Sequence, residues 1–172
     1  MPEKHDSRSL TVTWEQPQPR NGQGELTGRQ YVEAVIAGRI PPSPMSQLMG
    51  FRFTEVGDGF IVVECTPGEQ HYNMLGNGAH GGLACTLMDT VTGTAIQSSL
   101  PAGSVGTTLE LKTNMVRPIT AQTGTLRCEG KLLHRGRRVA TSEGRILDAA
   151  GKLYAHGTTT MLVVELQQSA PK

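Results

Sequence analysis

Two features of one predicted helix could act together on a carbonyl group. They are His80-Gly81-Gly82 at its start and the carboxylate of Asp89 inside it. The backbone N–H groups of a first helical turn have no partner within the helix, and glycine lets a ligand approach them closely. Such amides at the positive end of the helix dipole are typical of an oxyanion site. Asp89 follows about two turns later, roughly 10–12 Å at ~1.5 Å per residue, so it could act on the far side of a group polarised at the helix start.

The residues beside Asp89 on this helix are small and leave room for a ligand or a second subunit. They are Gly82, Cys85, Thr86 and Gly93. Two simpler interpretations stay open: Asp89 is a solvent-exposed helical residue, and the glycines only turn the chain. His80 is a further acid–base candidate because imidazole exchanges protons near neutral pH. A histidine just before a helix more often makes a structural hydrogen bond.

Other catalytic arrangements are missing from the sequence. No His-x-x-x-His spacing surrounds His80, so we expect no metal centre, and there is no G-x-S-x-G serine motif. The three cysteines, Cys65, Cys85 and Cys128, are scattered, which indicates reduced thiols in a cytoplasmic protein. A net charge of +1 gives no basic field for nucleic acid. No apolar stretch reaches membrane-spanning length.

A basic cluster lies in a predicted hairpin turn. It contains Arg135, Arg137 and Arg138, and Arg117 ends the strand that precedes this hairpin. Closely spaced guanidinium groups suit phosphate recognition, because each can donate two parallel hydrogen bonds. The alternative is a solvated run of charge at a turn.

The elements that must position these groups follow from hydrophobic periodicity. Residues 81–100 form a helix with a wide apolar stripe, whose members are Leu83, Ala84, Leu87, Met88, Val91 and Ala95. Residues 51–56 and 60–65 flank Gly57-Asp58-Gly59 as a hairpin. Strands at 105–116, 124–134, 138–147 and 153–164 follow, with a turn at 148–151. This order predicts an α+β fold, a strongly curved antiparallel sheet wrapped around one helix.

The chain ends differ from this central part. Residues 1–27 are polar and are predicted to be an arm, in which Leu10, Val12 and Trp14 alternate as in a short strand. A helix at 29–38 ends before Pro41-Pro42. We expect one domain at 28–166 and a tail at 167–172.

The ordered motifs resemble those of the PaaI-like (phenylacetate-pathway type) hot-dog thioesterases. The matching segments are Gly38-Arg39-Ile40-Pro41, Leu48-Met49-Gly50-Phe51, Asn73-Met74-Leu75-Gly76, His80-Gly81-Gly82, Thr86-Leu87-Met88-Asp89, Arg117-Pro118, Gly136-Arg137-Arg138 and Asp148-Ala149-Ala150-Gly151. The resemblance covers residues 28 to 165 and implies the hot-dog fold.

The resemblance also implies roles for single residues. Asp89 would hydrolyse an acyl-CoA thioester as general base or nucleophile, and the Gly81 N–H would donate to the thioester carbonyl. Asn73 would orient water or the carbonyl, although one extra residue before His80 leaves Asn77 as a substitute. Thr108 would reach the site from the other subunit.

Coenzyme A has three phosphate groups, which the basic cluster and Gly82 would help to bind. We expect a homodimer that pairs into a tetramer, because one helix cannot cover so much apolar sheet and strand 105–116 suits an edge. We expect no cofactor, and a small, medium-chain or aromatic acyl group. Two other functions stay open: a non-catalytic acyl-CoA-binding module and a hot-dog hydratase or dehydratase.

Overall fold

The computed structural model describes residues 7–17 and 26–166. Three α-helices and six β-strands follow in the order α1 (Gly28–Ile36), α2 (Pro44–Met49), β1 (Phe51–Gly57), β2 (Phe60–Cys65), α3 (Gly81–Ser98), β3 (Ser104–Met115), β4 (Leu126–Arg135), β5 (Val139–Leu147) and β6 (Leu153–Glu165). Short 3₁₀ turns lie at Glu69–His71 and Ala121–Thr123.

The six strands form one antiparallel sheet in the order β1-β2-β4-β5-β6-β3. Helix α3 packs against five of these strands, from β2 to β3. The predicted curved sheet around a central helix is therefore confirmed. Strand β3 lies at one edge of the sheet, as its alternation predicted.

The buried face of α3 is the predicted apolar stripe. Leu83, Ala84, Leu87, Met88, Val91 and Ala95 are all at most 3% exposed. The helix ends at Ser98, two residues before the predicted end, and the Ser99 hydroxyl caps it by donating to the carbonyl of Ile96. The stripe places the opposite helix face, which carries Asp89, away from the core.

A row of three glycines lets α3 approach the sheet closely. Gly130, Gly144 and Gly157 are paired across β4, β5 and β6. A Cβ atom at Gly144 would lie 2.6 Å from Met88 Sδ, and one at Gly130 would lie 2.1 Å from the carbonyl oxygen of Val91. Larger side chains would push the helix away, because packed interiors tolerate little added volume.

The outer face of the sheet carries cross-strand charge pairs. Glu129 lies opposite Arg145 and Lys131 lies opposite Glu143. Arg127 donates to Glu55 on β1 at 2.7 Å and to Glu129 at 2.8 Å. The hydrogen bond from Arg127 lowers the pKa of the Glu55 carboxyl. These side chains are all partly exposed, so this face is polar and solvated.

The N-terminal segments differ in part from prediction. The predicted helix at 29–38 is confirmed as α1. The predicted strand at Leu10, Val12 and Trp14 is wrong, since residues 7–17 join no ladder. Leu10 and Trp14 are both 58% exposed, and alternation yields a strand only where a neighbouring strand can pair. Residues 1–6 and 18–25 of the predicted arm and the tail at 167–172 lie outside the described residues.

Candidate active site

The start of α3 presents one free amide. His80 is the N-cap, and its Nδ1 accepts a hydrogen bond from the Gly82 N–H at 2.9 Å. The Gly81 N–H has no hydrogen-bond partner among the described residues. The prediction of two free amides is therefore wrong for Gly82. An Nδ1 that accepts leaves the ring proton on Nε2, so His80 has the structural role that its position favoured.

A cavity of about 290 Å³ opens in front of this helix start. Its lining includes His80, Gly81, Met115 and Arg117. A Cβ atom at Gly81 would lie 3.0 Å from Met115 Sδ and Cε, so glycine keeps the amide accessible beside this side chain. Arg117 donates to the carbonyl of Leu153 and thereby brings a positive charge to the Gly81 cavity.

The carboxylate of Asp89 is held by strand β3. Thr108 Oγ1 donates to Asp89 Oδ1 at 2.9 Å, and the Asp89 side chain is exposed. Both residues belong to the same chain, whereas Thr108 was expected to join the site from the other subunit. The bond fixes one carboxylate oxygen and leaves the other, Oδ2, with no hydrogen-bond partner among the described residues.

A second cavity, also of about 290 Å³, extends from Asp89. Its apolar walls are Met45, Phe51, Phe53 and Met161. Phe51 and Phe53 meet edge to face with ring centroids 6.3 Å apart. The sequence did not predict that these four residues line a cavity. The alternation of Phe51 and Phe53 on one strand face was the available signal, and it could equally indicate core.

Gly81 and Asp89 do not face the same cavity within one chain. They are eight residues apart on α3, which corresponds to ~12 Å along the helix axis. Gly81 lines the cavity beside Arg117, and Asp89 lines the cavity beside Phe53. A single chain therefore presents Gly81 and Asp89 in two separate cavities.

The side chain of Asn73 is used within its own loop. Its Nδ2 donates to Asn77 Oδ1 at 3.1 Å, and its Oδ1 accepts from the Leu75 N–H at 3.0 Å. Neither asparagine lines the Gly81 cavity. Beside them, Met74 is 99% exposed at the loop tip. The structure of the isolated chain does not bring Asn73 to Gly81.

The basic cluster separates into two groups. Arg135 donates to the carbonyl of Ser99, at the C-terminal end of α3, whereas Arg117 lies near its N-terminal end. The sequence grouped them because they are close along the chain, but β4 carries the hairpin to the far end of the helix. Arg137 and Arg138 are exposed, and their side chains make no hydrogen bond or ion pair within residues 7–17 and 26–166.

Two features are absent from residues 7–17 and 26–166. No group of three or more His, Cys, Asp or Glu side chains there is arranged to hold a metal ion. None of the helices there has the length and apolar character needed to cross a membrane.

Comparison with known proteins agrees with this architecture. The sequence model of the thioesterase superfamily matches residues 76–155. A conserved protein of Pseudomonas aeruginosa is 33% identical with a TM-score of 0.66, over 72% of this chain and 95% of that one. A phenylacetic acid degradation-related protein of Ralstonia eutropha is 27% identical with a TM-score of 0.69, over 77% and 98%.

A third similar structure is a hypothetical thioesterase of Streptococcus pneumoniae, solved with coenzyme A. It is 25% identical with a TM-score of 0.61, over 68% of this chain and 88% of that one. No match was found among curated protein sequences. The chain belongs to the thioesterase superfamily and has the hot-dog fold.

Proposed function

We propose that the protein is an acyl-CoA thioesterase that hydrolyses its substrate to a free acid and coenzyme A. The observation that carries this proposal is the Asp89 carboxylate, oriented by Thr108 at the mouth of an apolar cavity. The coenzyme A in the Streptococcus relative supports the choice of thiol. The cavity walls would take the acyl group, and the carboxylate would meet the thioester carbon.

The chemistry needs a carboxylate and an oxyanion donor. As general base, Asp89 takes a proton from water while the water oxygen bonds to the carbonyl carbon. The Gly81 N–H stabilises the charge that develops on the carbonyl oxygen. The C–S bond then breaks, and the thiolate of coenzyme A receives the proton. As nucleophile, Asp89 would instead attack the carbonyl carbon, and the C–S bond would break to release the coenzyme A thiolate. Water would then hydrolyse the acyl-enzyme anhydride and regenerate the Asp89 carboxylate.

We infer that two chains complete each site. The edge of β3 that faces away from β6 has unpaired backbone groups, and an antiparallel copy can pair there. Asp89 is hydrogen-bonded to Thr108, and Gly81 lies against Met115. A twofold axis that crosses β3 midway between Thr108 and Met115 would therefore place each Asp89 opposite the partner's Gly81. The small residues beside Asp89 leave room for this approach. Further pairing into a tetramer stays a prediction.

The arginines would bind the phosphates of coenzyme A. Arg137 and Arg138 are free to do so, and in the dimer the partner's Arg117 would accompany its Gly81. The positions of Asn73 and Asn77 in the site stay predictions, because the loop that holds them would have to change its internal hydrogen bonds. The three free thiols fit a reducing compartment, and we propose the cytoplasm.

The test of this function is a thiol-release screen over short, medium, long and aromatic acyl-CoAs. We expect hydrolysis of at least one class by the wild type, and little by Asp89→Asn. A wild type that binds acyl-CoA but releases no thiol from any class would favour the binding module instead.

A further inference from the structure

The cavity beside Asp89 runs along α3 toward the C-terminal end of the helix. Asp89, Gly93 and Gln97, one turn apart, line it in succession. The side chain of Gln97 closes its far end: Nε2 donates to the carbonyl of Ser104 and Oε1 accepts from the Gly106 N–H, both at 3.1 Å. Because both bonds hold Gln97 to the backbone of β3, this end wall is fixed.

The side wall of the cavity, in contrast, is formed by the flexible thioether side chain of Met161. A Cβ atom at Gly93 would lie 3.7 Å from Sδ and Cε of Met161, and one at Gly106 would lie 3.0 Å from its Cε. Met161 thus packs against a glycine of the helix on one side and a glycine of β3 on the other. A Cβ atom at Gly106 would press on the thioether, whereas one at Gly93 would be in ordinary van der Waals contact with it. The methionine tip therefore fills the space between these two glycines.

Behind Met161 lies a separate apolar cluster. Met161 packs with Ile96 and Ala140, and the half-buried Leu132 and Val163 lie against them. Met161 itself is 6% exposed. It therefore forms the partition between the cavity and this cluster. Methionine is unbranched and changes rotamer at low cost, so the partition can be shortened or moved without altering the sheet.

We propose that Met161 sets the maximum length of the acyl group that the site accepts. This inference rests on the proposed thioesterase function. An acyl chain attached at a thioester beside Asp89 extends past Gly93 and meets the Met161 thioether before it reaches the Ile96–Ala140 cluster. A cavity of ~150 Å³ holds one benzene-sized group. The 290 Å³ present here therefore accommodates a medium-length acyl group, and the partition excludes longer ones.

The experiment uses two variants with opposite expected effects. Met161→Ala opens the cavity toward the cluster, so the ratio of kcat/KM for decanoyl-CoA to that for butyryl-CoA should rise about tenfold or more, the scale of a methylene gained or lost in an apolar pocket. Gly93→Ala narrows the cavity, so the same ratio should fall about tenfold. Alanine replaces glycine favourably inside a helix, so Gly93→Ala is expected to fold. Leu162→Ala, the adjacent residue on the other sheet face, is the control and should leave the ratio unchanged.

A second readout separates this inference from the proposed function. The affinities of non-hydrolysable S-butyl-CoA and S-decyl-CoA thioethers, measured by calorimetry, should shift in the same directions. A wild type without hydrolysis but with these affinity shifts would refute the thioesterase proposal and support the length partition. An active wild type whose length preference is unchanged by both Met161→Ala and Gly93→Ala would overturn the partition and keep the enzyme.

Discussion

Thr108 on β3 donates a hydrogen bond to Asp89 on α3 at 2.9 Å, so a strand at the sheet edge orients a carboxylate on the central helix. Removing the hydroxyl would free the carboxylate to rotate. We expect Thr108→Val to lower turnover about tenfold or more, because small displacements of a reacting group are costly. Thr108→Ser keeps the hydroxyl and should retain most activity. Steady-state hydrolysis checks both, and equal turnover in Val and Ser variants would show that the bond has no role in catalysis.

The proposed site, shared between two chains, predicts complementation between two inactive variants. Asp89→Asn removes the carboxylate, and Gly81→Pro removes the backbone N–H at the first helical position, where proline is tolerated. His80 already has ψ 143, the extended conformation that a following proline requires. Mixed dimers would contain one site with both defects and one with neither.

Refolding the two variants together should therefore restore about a quarter of wild-type activity, since half of the dimers would be mixed and each would have one intact site of two. Refolding each variant alone is the control. No gain in the mixture, with dimers present by analytical ultracentrifugation, would place both groups in a site formed by one chain.

Arg137 and Arg138 should act on substrate binding. Contacts with phosphates, far from the thioester, stabilise ground and transition states alike, so the double change to Ala should raise KM and leave kcat nearly unchanged. We expect KM for acyl-CoA to rise roughly tenfold, which corresponds to the loss of one charged hydrogen bond. KM for the acyl-pantetheine thioester should not change. Arg52→Ala, on the distant edge strand β1, is the charge-matched control. An equal effect on both thioesters would mean that the arginines do not bind the nucleotide end of coenzyme A.

The two buried cysteines should be inert in the folded protein. Burial raises the pKa of the Cys65 thiol to about 11 and raises the pKa of Cys128 well above its usual range, so both stay protonated at pH 8. The half-buried Cys85 is the remaining thiol. We expect a Cys85→Ser variant to react with a thiol reagent only as fast as it unfolds, and rapid labelling of the native variant would contradict this.

The raised pKa of Cys65 makes the stability of the folded protein depend on pH. An unfolded thiol ionises near its ordinary value of 9.0, whereas folded Cys65 holds its proton to about 11. Between these values the unfolded state binds fewer protons, so the free energy of unfolding should fall as pH rises. Urea titrations from pH 8 to 10 measure the slope.

The fold could be predicted because periodicity and turn residues act locally. The α3 stripe and the facing pairs Glu129–Arg145 and Lys131–Glu143 follow from repeats of 3.6 and 2 residues. The strand at 10–14 failed because pairing needs a neighbour, which alternation alone cannot supply.

The site was only partly predictable, for a similar reason. Asp89 and Gly81 can be proposed as site residues from their places on one helix. The Thr108 contact within one chain and the bond from Gly82 to His80 depend on side-chain geometry. The separation of Arg117 from Arg135 depends on which end of α3 each strand reaches. Neither kind of information is contained in the spacing of residues.

The most direct test of the proposed function is hydrolysis of the best acyl-CoA by Asp89→Asn, with circular dichroism of the same sample. The amide keeps the shape of the side chain but loses its charge and basic lone pair, and Asp89 is exposed rather than part of the core. We expect turnover to fall on the order of a hundredfold or more, with KM little changed and the fold intact. Asp58→Asn, in the β1–β2 turn, is the matched control and should behave as wild type. A folded Asp89→Asn protein with near wild-type turnover would contradict the proposed role of Asp89 and place the chemistry elsewhere, with His80 the next residue to test.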